Sequence, residues 1–283
     1  MSRPPRSTLE LSSKKRALLD LLLREEGISP SRNETISRRP SGASIPLSFA
    51  QERLWYLDQL EPSSPLYNVS RALRLTGPLN IESLRRALDV IVSRHEVLRT
   101  TFAAADGVPV QVIGENRLVD LREVDLSQMS ATERQGEAQR LIQEETRRPF
   151  NLTADLMLRT TLLKLGREEH VLLPVTHHIA SDAWSTGVFL RELTLLYDAF
   201  STGKSSPLIE LPIQYADFAI WQRQWAQGEV WAGHLAYWKQ RLAGAPQCLD
   251  LPTDRPRPAV SRHLGAHESV VLTEALSAAL RTL

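Results

Sequence analysis

The chain has 283 residues, 42% hydrophobic and 24% charged, which is an ordinary globular composition with enough apolar surface for a sizeable core. A formal net charge of +1 provides no global field toward nucleic acid or a membrane surface. The longest apolar runs, such as LLDLLL and VLLPV, fall far short of the ~20 residues of a membrane span.

The N-terminal MSRPPRSTLELSSKK has no apolar h-region, so no secretory signal is expected. The single cysteine, Cys248, excludes an intramolecular disulfide and fits a reducing compartment, so a cytoplasmic location is expected. LSSKKRALLDLLLREEG reads as an amphipathic helix, with Leu18, Leu21 and Leu22 at helical spacing and Gly27 at its stop. Residues 12–27 are either a solvated helix lying on the main domain or a docking helix for another polypeptide. The Ser-, Arg- and Pro-rich ISPSRNETISRRPSGASIP that follows is a linker.

The globular part begins near Ile45. SFAQERLWYLDQL predicts a helix capped by Ser48, and NVSRALRLTG alternates as one strand. Asn80 caps a helix over IESLRRALDVIVSRH, with Ile81, Leu84, Leu88 and Ile91 on one face. LRTTFAAADGVPVQVI is a hairpin turning at Asp106-Gly107. A polar helix runs from Ser130 to about Arg147. LMLRTTLLKLG and EHVLLPVTH form a second hairpin around REE. Helices are predicted over Ser181–Phe200, Gln214–Gln227 and Trp231–Leu242. After the Pro-rich LPTDRPRPAVS, HESVVLT reads as a strand and EALSAALRTL as a helix.

Hairpins outnumber βαβ crossovers in this order. The predicted fold is therefore an α/β sandwich with a mixed or largely antiparallel sheet rather than a doubly wound parallel one.

The segment PVTHHIASDAWS lies where a strand-like run gives way to a helix, a place where functional residues commonly sit. Adjacent strand residues point to opposite faces, so only one of His177 and His178 can face a given cleft and the other belongs to the core. From spacing alone, a catalytic histidine and a satisfied core histidine both remain open. No metal is expected, since adjacent strand histidines do not converge on one ion and HExxH and cysteine clusters are missing. The GxSxG elbow is missing too, and Asp182 and Ser185 suit helix capping.

PLSFAQERLWYLDQL, SRHEVLRTTF, VTHHIASDAWS and YADFAIWQRQW, taken in that order, resemble the first signature motifs of condensation domains of nonribosomal peptide synthetases. RRPFNLTADLMLRTTLLKLG and YWKQRLAGAP also resemble the family, and the resemblance covers residues 45–283. It implies a chloramphenicol-acetyltransferase-like two-layer sandwich lobe over residues 45–250. Residues 1–44 precede it as helix and linker, and residues 251–283 are the truncated start of a second, similar lobe. It implies amide formation between a carrier-bound aminoacyl or peptidyl thioester and a carrier-bound amine. No cofactor is bound directly, both substrates riding on phosphopantetheine. The implied partners are upstream and downstream carrier proteins and an adjacent adenylation domain. His178 matches the family's active-site histidine and His177 the structural one. Asp182 matches the aspartate that pairs with an arginine, here Arg94, with Arg99 as runner-up.

Two features depart from the family pattern. Ala183 stands where the family usually has glycine, a residue useful where φ is positive or backbones crowd. The chain is also shorter than the family's domains and by itself is expected to be inactive. The SDAWS form resembles the subtype that joins two L-residues. Among alternatives, an epimerisation domain usually orders Ser and Trp differently, and a heterocyclisation domain has aspartate in place of His177. A coenzyme A-dependent acyltransferase and a degenerate module that only binds a carrier protein complete the readings.

Overall fold

The structure, a computed structural model, describes residues 35–227, 229–249, 251–256 and 270–282. The helix expected within residues 12–27 and the first part of HESVVLT lie outside them. The chain divides into two compact units between Tyr237 and Trp238, ahead of the boundary expected at residue 250.

The first unit contains two sheets. In the smaller, β1 (Ile45–Pro46), β5 (Val108–Ile113) and β4 (Thr100–Ala105) pair antiparallel in that order. The β4–β5 hairpin turns at Asp106-Gly107 as its sequence predicts. Both residues have positive φ, 51° and 78°, as a two-residue turn matching strand twist requires.

The larger sheet is ordered β2 (Asn68–Ser70), β8 (Glu169–His177), β7 (Leu158–Lys164), β6 (Leu121–Asp125), with β3 (Leu73–Thr76) also pairing β8. The single strand expected over NVSRALRLTG is thus two short ones on a common partner. The break faces Pro174 of β8. Proline has no N–H to donate, and only the Arg71 amide bonds across, to the Pro174 carbonyl at 3.2 Å. All pairings in this sheet are antiparallel except β6 with β7. Strand β6 was not predicted. It is an edge strand whose Arg122 and Glu123 are exposed, so it shows little apolar alternation.

Helix starts fall at the residues read from the sequence. Ser48 and Gln51 form a capping box at α1 (Phe49–Leu60), Asn80 accepts from the Ser83 amide at α2 (Ile81–Arg94), and Ser130 with Glu133 caps α3 (Ala131–Arg147). A 3-10 turn, Glu96–Arg99, leads into β4. Next come α4 (Ala183–Ser201), α5 (Tyr215–Trp225) and α6 (Glu229–Arg241).

Leu84, Leu88, Ile91 and Val92 of α2 and Leu193, Leu196 and Phe200 of α4 join Leu162 and Leu172 of the sheet in the main core. On the opposite sheet face, Leu163 and Val171 meet Ala138 and Leu141 of α3. The mixed sheet under a helical layer agrees with the expected sandwich, and α3 is the crossover that makes β6 and β7 parallel.

In the second unit, α7 (Glu274–Thr282) follows where a helix was expected. Residues 270–273, the described part of HESVVLT, form no strand and are exposed.

Candidate active site

β8 ends at His177 and α4 begins at Ala183, so residues 178–182 form a short loop at the end of the sheet. Alternation puts His177 on the α3 side, the face that also carries Val175 and Arg159. His177 is 3% exposed, with Tyr67 and Phe150 edge-on to its ring at 6.3 and 5.9 Å. Its Nδ1 accepts the Ile179 amide at 3.1 Å, which requires an unprotonated Nδ1. Burial, reinforced by His178 and Arg159, pushes the His177 pKa down to about 4, so the imidazole is neutral at physiological pH.

His178 is exposed. Its amide donates to the Tyr67 carbonyl at 2.8 Å, which fixes the backbone where the side chain leaves the sheet. The loop is closed by Ser181, whose Oγ lies 2.6 Å from Thr176 Oγ1 and donates to the His177 carbonyl at 3.2 Å.

Asp182 is the N-cap of α4. Its carboxylate accepts from the Ser185 amide and hydroxyl, both at 2.8 Å, and these bonds hold its pKa below the ordinary aspartate value. The expected pairing of Asp182 with Arg94 is not what the structure has. Arg94 Nε donates to Glu192 at 3.3 Å, and another guanidinium nitrogen donates to the Ile209 carbonyl. Arg99 bonds the Gly114 carbonyl and lies 3.9 Å from Glu96. The reason is the packing of α2 along α4. Arg94, the last residue of α2, meets α4 at Glu192, about 15 Å along the axis from Asp182 at ~1.5 Å per residue. Ala183 is the first helical residue. Among the described non-glycine residues only Ser63 and Asp106 have positive φ, so glycine is not needed at 183.

The segments carrying the resemblance hold one another. Ser48 Oγ lies 2.9 Å from Tyr215 Oη, the Gln222 side chain accepts from the Phe49 amide, and Gln214 donates to the Arg94 carbonyl at 2.9 Å. Arg39 bridges Glu96 at 2.8 Å and the buried Asp217 at 3.0 Å. Sequence reasoning missed Tyr67, Phe150 and Arg159. Tyr67 and Phe150 reach His177 through contacts distant in sequence, whereas Ser181 bonds within its own loop and strand end. His178 does not line the groove of about 590 Å³ bordered by Arg122, Glu145, Arg148 and Arg159 on the α3 side. Among the described residues no group of three or more His, Cys, Asp or Glu is placed to hold a metal ion, and no helix is long and apolar enough to cross a membrane.

Residues 42–283 match the family model described as Condensation domain. The chain belongs to the condensation domain family.

Linear gramicidin synthase subunits C and B of Brevibacillus parabrevis are 46% and 49% identical over 91% and 85% of this chain, which covers 3% and 5% of them. Phosphinothricin tripeptide synthetase PhsC of Streptomyces viridochromogenes is 45% identical over 96% of this chain and 25% of its own length. The chain thus spans a small part of these curated synthetases. Among solved structures, the X-domain from teicoplanin biosynthesis is 33% identical with a TM-score of 0.71, covering 80% of this chain. The starter condensation domain of rhizomide synthetase RzmA, 23% identical with a TM-score of 0.66, shares the fold over 73% of this chain. Each is matched over 49% of its length, so the chain spans about half a solved condensation domain, and the chloramphenicol-acetyltransferase-like fold expected for it stands.

Proposed function

We propose that the chain carries the histidine-bearing part of a condensation domain that joins a thioester-bound aminoacyl or peptidyl donor to the amine of an aminoacyl acceptor. Both substrates arrive on phosphopantetheine arms of carrier proteins, and an adenylation domain of the same synthetase loads the acceptor. In this reading the chain works in the cytoplasm. The observation that carries the reading is the division of labour at the end of β8, with His177 buried and neutral and His178 exposed beside it.

The chemistry asks little of the protein. A free α-amine has a pKa of about 7.7–8.0, so a fair fraction is neutral at pH 7. Its nitrogen attacks the thioester carbon, gains positive charge and becomes acidic as the carbonyl oxygen becomes an anion. His178 accepts that proton or orients the amine by hydrogen bond, and the pantetheine thiol leaves. Such acid–base assistance contributes roughly 10²–10⁴-fold. Tethering raises the effective concentration of both reactants, and no acyl-enzyme is needed. In this reading Asp182 and Ala183 build the helix start that closes the loop and take no part in proton transfer. The chain by itself leaves His178 open to water and forms no product at a useful rate.

The test is single-turnover transfer between loaded carriers, read by mass spectrometry, on a synthetase segment holding this chain and the remainder of the domain. His178→Ala is expected to slow amide formation by roughly 10²–10⁴-fold with carrier binding kept. A rate near that of the parent removes His178 from the mechanism.

A second reading, a module that only binds a protein partner, draws on the teicoplanin X-domain, 32% identical in its complex with OxyB. The same assay separates the two, because a binding module retains carriers and forms no amide in the parent protein either.

A further inference from the structure

We infer that Arg159 is a positioning residue for the His177–His178 loop, fastening the end of α3 and the Phe150 ring against the face of His177. This rests on the reading of His178 as the group that meets the amine.

The last carbonyls of a helix have no partners within it. At the end of α3 they are taken by side chains from the two strands that flank β8. From β2, Asn68 Nδ2 donates to the Thr146 and Arg148 carbonyls, each at 2.8 Å. From β7, Arg159 donates to the Pro149 carbonyl at 2.8 Å, to the Glu145 carbonyl at 3.5 Å and to the Arg148 carbonyl. Register makes these anchors local to the histidine. Asn68 lies opposite His177, and Arg159 lies opposite Val175 on the same face. A cation at a helix C-terminus also has the favourable sign for the helix dipole.

The clamp continues into the ring stack. The Arg159 guanidinium carbon sits 3.8 Å from the Phe150 ring centroid, and Phe150 meets His177 edge-on at 5.9 Å. Phe150 is 5% exposed, so the ring keeps water from that side of the imidazole. The neutral imidazole then accepts the Ile179 amide and sets the turn just after His178. Protonation of His177 would remove that acceptor and leave the Ile179 N–H without it. The charged and titratable groups around His177 are Arg159 from β7, His178 from its own loop and Tyr67 before β2. The Arg159 charge disfavours an imidazolium at His177, so fastening and charge act in the same direction. Lysine cannot replace this arrangement. It has one nitrogen and no flat face, whereas the guanidinium reaches several carbonyls while stacking on a ring.

The experiment is NMR on the full 283-residue chain, following the ring nitrogens of His177 against pH and the hydrogen exchange of the Ile179 amide. The parent should hold Nδ1 unprotonated down to about pH 4. Arg159→Met should move the midpoint up toward 6.5 and speed Ile179 exchange about tenfold. Arg159→Lys retains the charge and loses the fork, so it should speed the exchange with a smaller shift in midpoint. Should Arg159→Met fail to fold, Arg159→Lys and Phe150→Leu carry the test, the latter again raising the midpoint. Wild-type titration and exchange in the folded variants would overturn the proposal, even with a lowered melting temperature. These readouts do not involve transfer. If His178→Ala condenses normally while the Arg159 variants disturb His177, the catalytic reading has failed and the clamp stands. The opposite pattern removes the clamp alone.

Discussion

Asp182 and Ser185 complete one another at the start of α4. The Ser185 amide and hydroxyl donate to the Asp182 carboxylate at 2.8 Å, and the Asp182 amide donates back to Ser185 Oγ at 2.6 Å. This is a reciprocal capping box. It makes Asp182 a partner of its own helix and not of a distant arginine, and that changes what its removal should do.

Asp182→Ala should cost about 1 kcal/mol of stability, within the ~0.5–2 kcal/mol range of lost N-caps, and Asp182→Asn much less. The folded pKa is lowered, so the carboxylate's contribution is present above the ordinary aspartate value and fades as pH falls through the folded one. Denaturant unfolding at pH 7 and pH 3 checks both points. A loss of about 3–5 kcal/mol would instead indicate a buried ionic partner.

Ala183→Gly should lower stability by up to about 1 kcal/mol, since glycine is the poorer helix former and position 183 has no positive φ for it to relieve. In a complete domain the transfer rate should stay within about twofold of the parent. A large gain in single-turnover rate would show that alanine strains the loop.

Glu192→Ala should be among the most damaging single changes in the first unit. Glu192 is 4% exposed and holds Arg94 at 3.3 Å and His95 Nε2 at 2.7 Å. Breaking a buried pair from one side costs about 3–5 kcal/mol, because a charge is left without its counterpart. The double change Arg94→Met with Glu192→Leu should recover a good part of that loss, and equilibrium unfolding of Arg94→Met, Glu192→Leu and the double variant beside the parent measures the coupling.

His177 should make stability depend on pH in the acid range. Its folded pKa is about 4 against an ordinary 6.5. Between these values the unfolded chain binds a proton that the folded chain does not, so stability rises with pH across the window. The contribution is complete above about 6.5 and is lost as pH falls toward 4. His177→Phe, measured beside the parent at fixed salt, should give a stability difference that changes from pH 4 to 6.5 and is constant above 7. Parallel curves throughout would place the proton elsewhere.

Much of this arrangement was legible in the residues. The caps Ser48 and Asn80 announced their helices, and Asp106-Gly107 announced its turn, because each acts within a few residues of itself. The opposition of His177 and His178 followed from strand alternation. Strand β6 was hidden by its exposed charges, and the break between β2 and β3 by a proline roughly a hundred residues away on another strand. Arg94 was assigned to the wrong carboxylate for a related reason. Its sequence offers a cation, and only the packing of α2 on α4 selects Glu192.

The position of β8 between β2 and β7 also bears on how the chain is made. Among the described strands, β2 and β3 pair only with β8, which follows them by roughly a hundred residues. At a synthesis rate of about 5–20 residues per second, they wait roughly 5–20 s for their partner. Through that interval the nascent chain displays unpaired strand edges, and the His loop cannot form until the ribosome has delivered β8. Slowed translation ahead of codon 169 should therefore make this protein more dependent on chaperones than slowing after codon 177.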